Sequence, residues 1–212
     1  FFNNVKVGES EDGYPVELNA ECVAADYKIG VGALFPHPPT GVGGGPKLIL
    51  PGIASVESIL GFHRRSNDAQ WDLSVRGRFR ANEACRMLGL DFKVDVLHNG
   101  QGEVAGLYAG HYDRNTTAHI REIKDFFTTA PAGMGDLVIV NNYFKPTEIS
   151  NAMLPGTRML EMVRPGGDVV VSAHTPQGVA EHYIFGWWGD SGVKGLRYAD
   201  KKLPEHIRHC YM

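Results

Sequence analysis

The sequence predicts an α/β fold arranged as two α/β lobes, and three observations predict it. Strand-length apolar runs alternate with helix-length segments along the 212 residues. A stretch of small and turn-forming residues, Thr128-Thr129-Ala130-Pro131-Ala132-Gly133-Met134-Gly135, interrupts the series and divides it into 1–130 and 131–212. Beyond that break, the order strand, helix, strand reads as a βαβ unit with a right-handed crossover.

Taken in order, 14–24 reads as an extended segment followed by a short helix. The run Tyr27-Lys28-Ile29-Gly30-Val31-Gly32-Ala33-Leu34-Phe35 has strand length and turn residues around it, which predicts a strand buried on both faces. The next segment, from Pro36 to Lys47, holds four prolines and several glycines, and such a segment continues neither a strand nor a helix. Ser55 is a good N-cap for a helix running to about Arg65. Residues 91–97 and 103–108 read as two strands joined by a turn at Asn99-Gly100. Residues 116–127 read as a helix. In the second lobe, 137–140 and 168–173 read as strands, the latter introduced by Pro165-Gly166-Gly167, with a helix over about 148–163 between them.

Composition narrows the function classes. A net charge of −3 gives no basic field for nucleic acid or an anionic membrane. No stretch approaches the ~18 uncharged apolar residues of a spanning helix. Cys22, Cys85 and Cys210 stand apart without a CxxC pair, which argues against a disulfide framework or a thiolate metal site and makes a reducing cytosol the expected compartment. The start, Phe1-Phe2-Asn3-Asn4-Val5-Lys6, has no signal-peptide layout and no initiator Met, so the chain reads as beginning inside a domain.

The residues that point to chemistry cluster in the first lobe. The glycines Gly41, Gly43, Gly44 and Gly45 form the loudest feature, because glycines let backbone N–H groups approach an anion. The nucleotide templates fail in detail: Pro46 precedes Lys47 and Leu48 follows it, unlike a Walker loop, and Pro46 stands where a dinucleotide fingerprint needs its third glycine. A surface loop without function is the plain alternative. His37 sits where a strand gives way to a loop, with prolines fixing the backbone around it, which suits an acid/base group. Lys47, between a proline and an apolar run, reads as partly desolvated, a condition that makes an amine nucleophilic. His63 falls on one stripe with Val56, Ile59 and Leu60, so its ring should face inward, as a core histidine or as a metal ligand. Each of these residues, alone, has an ordinary structural explanation.

Together they resemble one family. Gly32-Ala33-Leu34-Phe35-Pro36-His37, then Gly41-Val42-Gly43-Gly44-Gly45-Pro46-Lys47, then Pro51-Gly52-Ile53-Ala54-Ser55 through His63 are similar in order and spacing to the lactate racemase (LarA-like) family, whose members use a nickel-pincer nucleotide. The resemblance continues through Gly89-Leu90-Asp91-Phe92, Ala109-Gly110 and Ala118-His119 toward Pro146, and covers the central half of a full-length member. It implies that 1–130 is the C-terminal part of the family's N-terminal domain, an incomplete cofactor-binding domain, and that 131–212 starts the C-terminal domain, a Rossmann-like substrate lobe.

The resemblance further implies roles. Lys47 joins the pyridinium cofactor through a thioamide, Gly43, Gly44 and Gly45 line the cofactor, and His63 ligates nickel whose other donors come from the cofactor. His37 is one of two acid/base histidines. It takes the proton of an α-hydroxyl while hydride leaves the adjacent carbon, and return of the hydride to the other face racemises a small 2-hydroxyacid or related substrate. The partners implied are that small molecule and the proteins that make the cofactor. Two features depart from the family. Its second catalytic histidine and an arginine-containing segment lie upstream of Phe1, and Met153 and Gly156 stand where it has a substrate-binding Gln and Lys. Asn141, Asn142, Tyr143, Lys145 and Trp187 are the alternative pocket residues. The competing readings are a non-catalytic homologue that binds a phosphate-bearing ligand through the glycine loop, and a degenerate homologue with no ligand.

Overall fold

The computed structural model describes residues 3–63, 69–141, 159–174 and 203–211. The chain divides into two compact units, Phe1–Thr129 and Ala130–Met212.

In the first unit, β1 (Asn4–Glu9) pairs antiparallel with β2 (Pro15–Asn19), and α1 (Ala20–Ala24) follows directly. Asn19 starts that helix because its side-chain oxygen accepts the N–H groups of Glu21 and Cys22, each at 3.1 Å. β3 (Ile29–Ala33) lies parallel to β6 (Phe92–His98), which pairs antiparallel with β7 (Val104–Gly110). The expected strand at 27–35 is therefore present but shorter.

Its predicted burial on both faces is not found. Ile29 and Val31 are 57% and 63% exposed. They share a face with Phe92, Val94, Val96, Leu107 and Ala109 across the sheet register. The opposite face, carrying Lys93, Asp95, Leu97 and Tyr108, is buried. Apolar runs suited to a two-sided parallel sheet are thus covered on one side among the described residues.

The segment expected to avoid regular structure instead contains a tight hairpin. β4 (Phe35–His37) pairs antiparallel with β5 (Gly41–Gly43) around a single 3-10 turn at Pro38–Thr40, and a second 3-10 turn spans Gly45–Leu48. Proline is tolerated here because the hairpin is only three residues deep and both turns accept it in their first positions. α2 (Val56–His63) starts where expected, with Ser55 Oγ accepting the Ser58 N–H at 3.2 Å; the predicted last residues, Arg64 and Arg65, lie outside the described residues.

A helix that the pattern did not predict, α3 (Arg76–Leu88), occupies the centre of the unit. Its buried set mixes Ala81, Ala84, Cys85 and Leu88 with Arg78, Arg80 and Glu83, so charged residues hide the apolar stripe. Gly89 ends it in the left-handed conformation, φ 71° and ψ 51°. The β6–β7 connection is longer than a two-residue turn: Asn99 Oδ1 accepts the N–H groups of Gln101 and Glu103, and Gly102 has the positive φ. The helix expected over 116–127 is split at His119 into α4 (Arg114–Ala118) and α5 (Ile120–Phe127). Leu34, Val42, Leu97, Tyr108 and Ile123 form the core beneath the hairpin.

In the second unit, β8 (Gly135–Asn141), β9 (Val163–Ser172) and β10 (Ile207–Tyr211) form a parallel sheet in the order β10-β9-β8. Parallel neighbours β8 and β9 require a crossover, as the βαβ reading expects. Most of the expected helix over 148–163 lies outside the described residues, and its last residue, Val163, instead opens β9. Pro165-Gly166-Gly167 falls inside that strand, with Gly166 at φ 82°, where the edge contacts shift register. No helix among the described residues is long and apolar enough to cross a membrane.

Gly77 marks a very close approach between backbones in the first unit: a Cβ there would lie 2.1 Å from the Pro39 carbonyl oxygen. Backbone cannot yield as a side-chain tip does, so Gly77→Ala should lower unfolding free energy by about 1–3 kcal/mol in chemical denaturation. Gly100→Ala, with nothing within 4 Å of the added carbon, serves as the neutral control.

Candidate functional site

The hairpin places His37 at the end of β4, and the second 3-10 turn presents Lys47. Both are half-buried. They meet the same ring. Phe35 stacks edge-on against the His37 imidazole, 5.9 Å between centroids, and the Lys47 ammonium lies 5.7 Å from the Phe35 centroid. Phe35 can sit there because Gly43 faces it across the hairpin; a Cβ on Gly43 would fall 2.5 Å from the ring. Phe35 carried no mark in the sequence beyond being apolar. Its partnership with a glycine across three-residue strands is what selects it.

The His37 ring is held from behind. Nδ1 lies 2.7 Å from Thr40 Oγ1, and that hydroxyl is in turn 2.9 Å from the Val42 carbonyl, which accepts. Thr40 is fully buried. His63 closes α2 with Nδ1 2.8 Å from the Ile59 carbonyl. A carbonyl accepts only, so Nδ1 carries the proton and the ring's lone pair lies on Nε2. Ile59 and Leu60 are buried as the stripe predicts, and His63 itself is half-buried beside Phe62, edge-on at 4.8 Å.

The last turn before His63 is gripped by Arg80 of α3. Its Nη1 donates to the Gly61 and Phe62 carbonyls, both at 2.9 Å, and its other nitrogens pair with Asp12. Five fixed donors on a planar group suit this multiple attachment better than an ammonium would. Phe62 and the Pro39 carbonyl both approach Gly77. The two histidine-bearing segments therefore meet at the start of α3.

Under the glycine turn lies a buried ion pair. Lys93 and Asp95, on the inner face of β6, are 0% exposed, and the ammonium contacts the Asp95 carboxylate and, at 3.1 Å, the Val94 carbonyl. Asp95 Oδ1 also accepts the Gly45 N–H at 2.9 Å. Room for this pair comes from β3: a Cβ on Gly30 would be 2.8 Å from Lys93 Cδ, and one on Gly32 3.1 Å from Nζ. Gly44, at φ 82°, would bring a Cβ to 2.7 Å from the Ala33 carbonyl. The glycine segment is buried, unlike the surface loop considered as its plain alternative. One of its N–H groups is committed to a carboxylate of the same chain.

Nearby, Arg78 is buried and bonds Asp113 through Nε and Nη2, both 3.2 Å. Burial pulls its guanidinium below the usual range, with the Asp113 carboxylate opposing that shift. Burial pushes the Cys85 thiol well up, so this cysteine is an inert core group; its Sγ points to the Pro46 carbonyl at 3.6 Å. Among the described residues, no three His, Cys, Asp or Glu side chains gather as a metal-binding group. Of the second-unit candidates, Asn141 ends β8, while Asn142, Tyr143, Lys145, Met153, Gly156 and Trp187 lie outside the described residues.

The α/β unit built around this hairpin is of a class met in known proteins. Residues 3–72 match the lactate racemase N-terminal domain family. The chain is 27% identical over 196 residues to a lactate racemase of Thermoanaerobacterium thermosaccharolyticum, covering 87% of this chain and 45% of that protein. The lactate racemase apoprotein structure from the same organism superposes with a TM-score of 0.73 at 23% identity, over 96% of this chain and 52% of that one. A Thermotoga maritima crystal structure shares the fold, with a TM-score of 0.61 at 18% identity, over 80% of this chain and 48% of that one. The match to the lactate racemase N-terminal domain family is thus confined to residues 3–72, and the chain spans about half the length of the relatives it matches.

Breaking the buried pair from one side leaves an ammonium without its counter-ion. Asp95→Ala should cost about 3–5 kcal/mol of stability. Lys93→Met added to it should recover part of that loss, and equal losses for the single and double variants in urea unfolding would contradict the charge argument.

Proposed function

We propose that this chain supplies the cofactor-holding part of a racemase or epimerase acting on a 2-hydroxyacid or related hydroxyl-bearing substrate, with a nickel-pincer nucleotide as cofactor. The observation that carries the reading is the placement of His37 and Lys47 against one ring, Phe35, within a segment matched by the lactate racemase N-terminal domain.

The residues fit that cofactor. Lys47 offers a primary amine on a half-buried turn, suited to a thioamide link. His63 offers Nε2 as a single imidazole donor, its Nδ1 being occupied by the Ile59 carbonyl. His63 would hold a nickel ion as a single protein ligand, the remaining donors coming from the cofactor. When bound, the nickel-pincer nucleotide supplies the hydride acceptor for reversible oxidation of the substrate carbon.

The chain's own contribution is orientation and proton handling. His37 accepts the substrate hydroxyl proton at Nε2 and returns it when the carbonyl is reduced again. Phe35, the common neighbour of His37 and Lys47, would limit the access of water to both groups. Gly43 leaves room for the Phe35 ring, and Gly44 lets the turn close over Ala33 and Asp95. The commitment of the Gly45 N–H to Asp95 tells against the competing reading, in which this loop serves mainly to bind phosphate. The proteins that make the cofactor are the cellular partners this proposal implies.

The test is co-expression with cofactor-synthesis proteins, followed by intact mass and metal analysis. The expected result is a covalent mass increase lost in Lys47→Ala, with near-stoichiometric nickel that falls sharply in His63→Ala. A protein that acquires neither adduct nor nickel would overturn the proposal.

A further inference from the structure

We propose that Thr40 is a positioning residue that sets the tautomer of His37, so that Nε2 is the atom presented to substrate. The inference rests on the proposed acid/base role of His37 but concerns a residue and an interaction that the role does not specify.

The argument is a count of hydrogens. Thr40 Oγ1 makes two short contacts, with His37 Nδ1 at 2.7 Å and with the Val42 carbonyl oxygen at 2.9 Å. A hydroxyl has one hydrogen, and a carbonyl has none to give. Both contacts are hydrogen bonds only if the hydroxyl donates to Val42 and accepts from His37, which puts the imidazole proton on Nδ1. The alternative, with the hydroxyl donating to Nδ1, withdraws the hydroxyl from a carbonyl on a fully buried residue. Pro36, opposite Val42 in the hairpin, has no N–H to replace it.

The geometry is built to be rigid. Thr40 is 0% exposed, it closes the 3-10 turn that starts one residue after His37, and the Gly41 N–H bonds back to the Pro38 carbonyl. The relay therefore lies wholly within the turn of one hairpin and does not depend on the second unit. His63 is given the same tautomer through the Ile59 carbonyl. Two imidazoles held at Nδ1 by oxygen acceptors both have Nε2 as the working atom, one for a proton and one for a metal.

A general base in the wrong tautomer presents an N–H where a lone pair is required, and loses most of its rate even when its position is unchanged. Thr40→Val keeps the shape and removes the relay, whereas Thr40→Ser keeps the hydroxyl. Long-range ¹⁵N–¹H spectra of histidine-labelled protein, with the His37 signals assigned by their loss in His37→Gln, read the tautomer without cofactor or turnover. In the wild type and Thr40→Ser, His37 should be protonated at Nδ1 when neutral; in Thr40→Val it should move toward Nε2–H. In cofactor-loaded enzyme, Thr40→Val should lower kcat at least about tenfold with KM nearly unchanged, and Thr40→Ser should restore it to within about threefold. An Nε2–H tautomer in the wild type would overturn the proposal even if Thr40→Val does not fold, as would an unchanged tautomer in a folded Thr40→Val. If the spectra agree and no variant or wild type racemises any hydroxyacid, the failure belongs to the proposed function and the assignment of Thr40 stands.

Discussion

The structure of the first unit depends on a buried charge pair. Lys93 and Asp95 alternate along β6 so that both face inward, and removing two such groups from water costs several kcal/mol per ion. The cost is offset only because the carboxylate meets two donors, the Lys93 ammonium and the Gly45 N–H, and the ammonium also reaches the Val94 carbonyl. Much of the glycine content around the site follows from this. Gly30 and Gly32 make room for the lysine stem and ammonium, and Gly44 lets the chain pass over Ala33 and Asp95. The turn that presents Lys47 is thus fastened to the sheet by an electrostatic contact at Gly45 as well as by the Leu48 side chain against Gly30.

Around that anchor, the candidate site side chains are held by hydrogen bonds to groups of fixed position. Thr40 holds His37, the Ile59 carbonyl holds His63, and Arg80, itself held by Asp12, closes the helix end from which His63 projects. None of these supports is a surface ion pair, which would contribute little. Each is buried or half-buried, where an unmade hydrogen bond is expensive, and so each defines one geometry.

Parts of this were legible in the residues. Ser55 and the apolar stripe from Val56 placed α2 and its buried Ile59 and Leu60, with His63 half-buried at its end, because capping and helical period are local properties. The order of strands and helices announced the α/β class for the same reason. The helix at 76–88 was not legible, since Arg78, Arg80 and Glu83 occupy positions that would normally be apolar and are buried by pairing with distant Asp113, Asp12 and the Glu11 N–H. The hairpin within the glycine segment was hidden too. Proline and glycine both advertise irregular chain, and only the pairing of Phe35 with Gly43 makes three-residue strands of it. The two-sided burial expected of β3 failed on one face, where Ile29 and Val31 meet no cover among the described residues.

By itself, then, the sequence determined where turns, caps and helical faces fall, and which histidines and lysine stand at the ends of those elements, because these depend on neighbours within about four residues. It also carried the family's spacing from His37 to Lys47 to His63. Only the tertiary structure decided that Phe35 is the common neighbour of His37 and Lys47, that Asp95 secures the glycine turn across fifty positions of chain, and that the Thr40 hydroxyl lies against the His37 ring. The physical reason is that a buried polar group is stable only with a partner of matching geometry, and that partner is chosen by the path of the backbone in space.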